Sequence, residues 1–120
     1  MATPRMRRVN EAVREVLSTR ITEDLKDPRI GFVTVTAVET SPDLRRARVY
    51  VSVLGDEAER ERTLAGLRSA HGLLQRALAE ELHLKRTPTL EFVYDASIER
   101  ALRLQGLLSG RQRREEGGER

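Results

Sequence analysis

The chain has 120 residues, with 22 Lys+Arg against 19 Asp+Glu, a formal charge of +3 and an isoelectric point near 9.9. That length makes one domain, and 38% hydrophobic residues suffice for one sheet with two or three helices against it. The chain has no cysteine, which excludes disulfide scaffolds, iron–sulfur clusters and thiolate zinc sites; with no signal peptide after Met1 and no apolar run near the ~18 residues of a membrane span, it is expected in the cytoplasm, with no membrane partner.

From about Pro4 to Lys26 the sequence predicts an amphipathic helix. Val9, Ala12, Val13, Val16, Leu17, Ile21 and Leu25 recur at three- and four-residue spacing and build one apolar stripe. Thr3 is placed to cap it, Pro4 suits its first turn, and Asp27-Pro28 stops it. From Ile30 to Thr40 β-branched residues take over, and Ser41-Pro42-Asp43 supplies turn chemistry. A second strand follows with Ala47, Val49, Val51 and Val53 on one face and Arg46, Arg48, Tyr50 and Ser52 on the other. The two strands form an antiparallel hairpin.

Gly55 ends the hairpin, and Asp56 with Glu59 has the spacing of a capping box. Helical periodicity then runs to about Leu84 through Leu64, Leu67, Leu74, Ala77, Leu78 and Leu82. That is long for one globular helix, and Gly66 and Gly72 lie inside it. The economical reading is two helices, or one sharply kinked helix, broken at Ala70-His71-Gly72. Thr87-Pro88 opens a last strand, Thr89 to Tyr94, with Leu90, Phe92 and Tyr94 inward. A short final helix carries Ile98, Ala101, Leu102 and Leu108, capped by Asp95 or Ser97. Residues 111–120 have no apolar side chain and read as a disordered tail, leaving 1–110 as the domain.

The order is therefore α-β-β-α-α-β. The crossover of roughly 30 residues to the third strand is long enough for a parallel, right-handed connection. The expected fold is α+β, a three-stranded mixed sheet with helices packed on one face. Its other face, bearing Arg46, Arg48 and Tyr50, stays open.

Catalytic candidates are few. The only histidines, His71 and His83, match no usual metal-ligand spacing, and no phosphate-loop, dinucleotide or nucleophile-elbow motif occurs. No enzymatic activity, cofactor or metal is expected. The basic residues say more. Twenty of the 22 are Arg, which suits phosphate although coding bias produces the same excess. They cluster as Arg5, Arg7 and Arg8 on the first helix, Arg45, Arg46 and Arg48 at the second strand, and Arg68, Arg76, Lys85 and Arg86 around the kinked helices. A solvated surface is the plain reading of scattered arginines; clustering at segment ends that a fold can bring together favours an anion-binding surface. A helix N-terminus at the kink adds free amides. With 3% aromatics the chain lacks a base-stacking platform, so any nucleic-acid contact is with phosphate and shape.

Several ordered stretches together resemble the ribosome-binding factor A family. They are Asp27-Pro28-Arg29-Ile30-Gly31 with Val33-Thr34-Val35, Val38-Glu39-x-Ser41-Pro42-Asp43-Leu44 and Ala47-x-Val49-Tyr50-Val51-Ser52. Leu84-x-Arg86-x-Pro88-x-Leu90-x-Phe92 and Asp95-x-Ser97-Ile98-Glu99 follow. The resemblance implies a type II KH-like domain in which Ala70-His71-Gly72 forms a helical kink in place of a Gly-x-x-Gly loop. It implies a monomer that binds the immature small ribosomal subunit and its rRNA, with Ala70, His71 and Gly72 among the contacts. It further implies help in late maturation of that RNA, importance in the cold, release aided by an assembly GTPase, and no catalytic residues. One departure is Gln75, where the family implies Arg; Arg76 points about 100° away. Two other classes compete: a protein-interaction adaptor that needs no RNA, and an RNA-processing enzyme built around His71 and Asp95. A helix-turn-helix module is disfavoured by the β-hairpin and the short chain.

Overall fold

The computed structural model describes residues 3–97, 100–101 and 104–106. Helix α1 spans Pro4–Asp24, with the Thr3 hydroxyl accepting from the Met6 amide at 3.1 Å and Pro4 in the first turn, as predicted. Its buried stripe is Val13, Val16, Leu17 and Ile21. The long helical region divides at Ala70 into α2, Glu57–Ser69, and α3, His71–Leu82. Before α2, Gly55 turns through a φ of +134°, and Asp56 and Glu59 close the predicted capping box at 2.8 and 3.0 Å.

Strand β1 covers Val33–Thr40 and pairs antiparallel with β2, Arg46–Val53; β3, Thr89–Tyr94, lies parallel to β2 on its other side. This is the expected mixed sheet, with β2 at its centre. Ala47, Val49 and Val51 are fully buried against Leu17, Leu67, Leu74 and Leu78 from the helices. Packing of α1 on β1 and α3, and of α2 on β3 and β2, confines the helices to that face.

Two departures from the sequence reading have clear causes. Pairing shifts between Val35 and Ala37, so Thr36 is an extra, bulged residue. The bulge lets Val35 and Val38 both face the core although their odd spacing would put them on opposite sides. Residues Ile30–Phe32 were expected in the strand, yet β1 begins at Val33. The buried Thr63 hydroxyl accepts from the Gly31 amide at 3.2 Å and donates to the Arg29 carbonyl at 3.4 Å, so a helix satisfies this stretch. Gly66 permits the approach: a Cβ there would stand 2.6 Å from Ile30 Cγ1.

Beyond β3 the Arg100 amide donates to the Ala96 carbonyl at 2.8 Å, one helical turn. Of the residues expected in the last helix, Ala101 is helical and exposed, while Ile98, Leu102 and Leu108 lie outside the described residues, as does the tail 111–120.

Candidate nucleic-acid interface

One end of the sheet collects the close of β1 and the starts of β2 and β3. Thr40 stands opposite Ala47, and Arg46 opposite Thr89. Arg45 and Arg46 are exposed there, on a turn built from local hydrogen bonds. Ser41 Oγ donates to Asp43 Oδ1 at 2.7 Å, and the same oxygen accepts from the Arg45 amide at 3.0 Å. These bonds hold the Asp43 carboxyl below its usual range, the Ser41 hydroxyl contributing most. Leu44 takes a left-handed φ of 61° to close the turn. Asp43 also lies 3.5 Å from Arg45 Nε, but both side chains are more than half exposed, so the pair neutralises little.

Three long-range hydrogen bonds fasten the other basic segments to this end. The Thr40 amide donates to Asn10 Oδ1 at 2.9 Å and fixes α1 against the end of β1. Arg8, Arg7 and Arg5, all exposed, precede Asn10 on α1, Arg5 about 7.5 Å from it along the axis at 1.5 Å per residue. The Thr89 amide donates to the Arg45 carbonyl at 2.9 Å, which sets Lys85 and Arg86, exposed on the approach to β3, beside the start of β2. Gln75 Nε2 donates to the buried Pro88 carbonyl at 2.9 Å and ties the second turn of α3 to the same place. Arg76 is exposed next to it.

Not every basic candidate belongs to this cluster. Arg48 lies on the open face of the sheet, 3.6 Å from Glu91 and opposite Glu39, which itself accepts from the Tyr50 hydroxyl at 3.0 Å. That row of alternating charge leaves little net field. Arg68 is drawn to the edge of β3, where Nη2 donates to the Phe92 carbonyl at 3.4 Å.

At the break, Ala70 has φ −91° and ψ 6°, and its amide is shared between the Gly66 and Leu67 carbonyls at 3.2 and 3.0 Å. His71 Nδ1 donates to the Arg68 carbonyl at 2.9 Å, capping the end of α2 with an exposed ring. No side chain caps the start of α3. At Gly72, where valine is expected to damage the kink by β-branching and crowding, a Cβ alone meets nothing within 4 Å, and φ is not left-handed. The break is a property of Ala70 and the packing around it.

His71 and Asp95 each bond to separate partners. His71 bonds to α2, whereas Asp95 takes the Thr36 hydroxyl at 2.6 Å and the Ser97 amide at 2.9 Å. Among the described residues no group of three or more His, Asp or Glu side chains is placed to hold a metal ion, and no helix is long and apolar enough to cross a membrane. Asn10 and Gln75 are positioning residues that sequence reasoning missed. A polar side chain beside the stripe of α1 was the only signal for Asn10; Gln75 stood out as a departure from the family pattern, but nothing in the sequence pointed to Pro88 as its partner.

The ribosome-binding factor A family model matches residues 5–108. This chain belongs to the ribosome-binding factor A family. Ribosome-binding factor A of Anaeromyxobacter dehalogenans strain 2CP-C is 51% identical over 113 residues, covering 93% of this chain and 80% of that protein. The Heliobacterium modesticaldum family member is 45% identical over 109 residues, covering 91% and 90%. The crystal structure of ribosome-binding factor A from Thermus thermophilus superposes with a TM-score of 0.67 at 32% identity, over 74% of this chain and 94% of that one. A homology model of the Thermus thermophilus factor, fitted into an electron cryo-microscopy map of a complex with the 30S subunit, is similar at TM-score 0.61 and 33% identity, over 72% and 91%.

Proposed function

We propose that this protein is a ribosome assembly factor that binds the immature small subunit, seating rRNA phosphates on the basic end of its sheet. The observation that carries the reading is the trio of bonds Asn10–Thr40, Arg45–Thr89 and Gln75–Pro88, which fasten three basic segments to one sheet end in a family named for ribosome binding. Arg5, Arg7, Arg8, Arg45, Arg46, Lys85 and Arg86 form the centre of that surface, with Arg76 and the uncapped start of α3 beside it. Ala70, His71 and Gly72 complete its rim, and Arg48 and Arg68 take lesser parts because each is already engaged. The bent pair α2–α3 takes the place of a Gly-x-x-Gly loop in a KH-like domain formed by residues 1–110.

Phosphate neutralisation by arginine releases counterions, so binding is steeply salt-dependent. Bound in this way, the protein assists late maturation and end-processing of the small-subunit rRNA without catalysis of its own, most critically in the cold. It acts as a cytoplasmic monomer and leaves with the help of an assembly GTPase. Sucrose-gradient fractionation of lysate tests the reading. Co-migration with free small subunits, and less with joined ribosomes, is expected; migration only with soluble protein overturns it.

A further inference from the structure

The end of the sheet opposite the basic one has a different character. Phe32 and Leu54 stand across from each other there, the Leu54 amide donating to the Phe32 carbonyl at 3.0 Å, and their side chains are 79% and 74% exposed. The chain has two phenylalanines; Phe92 is in the core, so the other stands in water. A lone exposed apolar residue is ordinary, but an adjoining pair on a concave surface marks an interaction site. Phe32 and Leu54 both line two hollows, of about 520 and 220 Å³, the larger also bounded by Val53 and Tyr94 and the smaller by Pro28 and Thr63.

The charged groups lining these hollows narrow the choice of occupant. Both carboxylates are engaged within the chain: Glu59 in the capping box, and Asp95 with the Thr36 hydroxyl and the Ser97 amide. Arg29 is held by Asp27 at 2.6 Å, and Arg60 lies 4.1 Å over the Tyr94 ring. Arg62 is exposed on the rim of the smaller hollow and has no ion-pair or hydrogen-bond partner among the described residues. The patch therefore offers apolar surface and an outward cation, with no open carboxylate in its lining.

We propose that this end docks an acidic protein segment: one leucine or aromatic side chain packs against Phe32 and Leu54, and a nearby carboxylate meets Arg62. RNA suits the patch less well: one unpartnered arginine would face its phosphates, and Phe32 offers only a single ring for stacking a base. Resting on the assembly-factor reading, the inference makes the molecule two-ended, with rRNA at one end of the sheet and a protein of the same particle at the other.

Site-specific photocrosslinking tests it in the full chain. Leu54, or in a second variant Phe32, is replaced by p-benzoylphenylalanine, and the protein is irradiated on purified small subunits. Exposure of both positions keeps the fold out of the result. The expected product joins the probe to a ribosomal-protein peptide with Asp or Glu within about four residues, one helical turn, of the joined site. Arg62→Glu should lower its yield roughly fivefold, and Phe32→Ala roughly tenfold in the Leu54 probe variant. Crosslinks confined to rRNA, to this chain's own residues or to a second copy, or no crosslink at all, overturn the inference. Failure to co-sediment before irradiation overturns the assembly-factor reading as well, so the two failures are told apart.

Discussion

The hydroxyl of Thr36 donates to Asp95 Oδ2 at 2.6 Å, linking the bulge of β1 to the residue that follows β3. Asp95 continues the sheet through its amide, which donates to the Val51 carbonyl at 2.7 Å, and its other carboxylate oxygen accepts from the Ser97 amide. The bond reaches across the middle strand and joins both edges of the sheet.

Thr36→Val should therefore destabilise the protein by about 1 kcal/mol, the usual net worth of one such bond, measured by urea unfolding at pH 7. The pH dependence has a definite sign. The Thr36 hydroxyl first, then Ser97, holds the Asp95 carboxyl below its ordinary value, so the folded state binds its proton more weakly than the unfolded chain does. The contribution is complete above the unfolded value of about 3.9 and is lost as pH falls through the lower folded value. The gap between wild type and Asp95→Asn should close toward pH 2; a constant gap would show that the charge plays no part.

Gln75 acts as a strut, so its removal should be felt as stability. Gln75→Leu leaves the buried Pro88 carbonyl without its partner and should cost about 1–3 kcal/mol by denaturant unfolding. If Gln75→Leu were neutral in stability yet weakened subunit binding, the side chain would be a direct RNA contact instead.

Salt titrations should separate the basic residues by position. Arg45→Ala and Arg86→Ala should each flatten the log K against log salt line for purified small subunits by about 0.7–0.9, one phosphate contact, without lowering the melting temperature. Arg48→Ala should change the slope far less, because Glu91 and Glu39 flank that guanidinium. Equal effects from all three would show that the open face of the sheet belongs to the binding surface.

The two glycines of the helical pair should respond oppositely to alanine. At Gly66 the new Cβ would meet Ile30 at 2.6 Å, a forced repacking that should cost about 1–3 kcal/mol. At Gly72 the same change enters open space in a helix and should stabilise by up to about 1 kcal/mol. Thermal unfolding of the two variants side by side checks both. A destabilised Gly72→Ala would restore crowding as the reason for a glycine there.

The element order, the faces of α1 and β2, the Thr3 cap, the Asp56–Glu59 box and the break near Ala70 were all legible from the chain alone. Each rests on interactions within four residues or on a simple period, which a sequence displays directly. The bulge at Thr36 was not legible, because alternation in β1 breaks for a reason that lies in β2 and at Asp95. The withdrawal of Ile30–Phe32 from the strand depends on Thr63 and Gly66, more than thirty residues away.

Local patterning by itself determined which segments are helix or strand, which faces are apolar and where the arginines sit along the chain. Only the tertiary structure decided that Asn10 meets Thr40, that Gln75 meets Pro88 and that Arg48 faces Glu91. The reason is physical: such pairs are chosen by how buried faces pack, and their members carry no mark of their partners in the residues beside them.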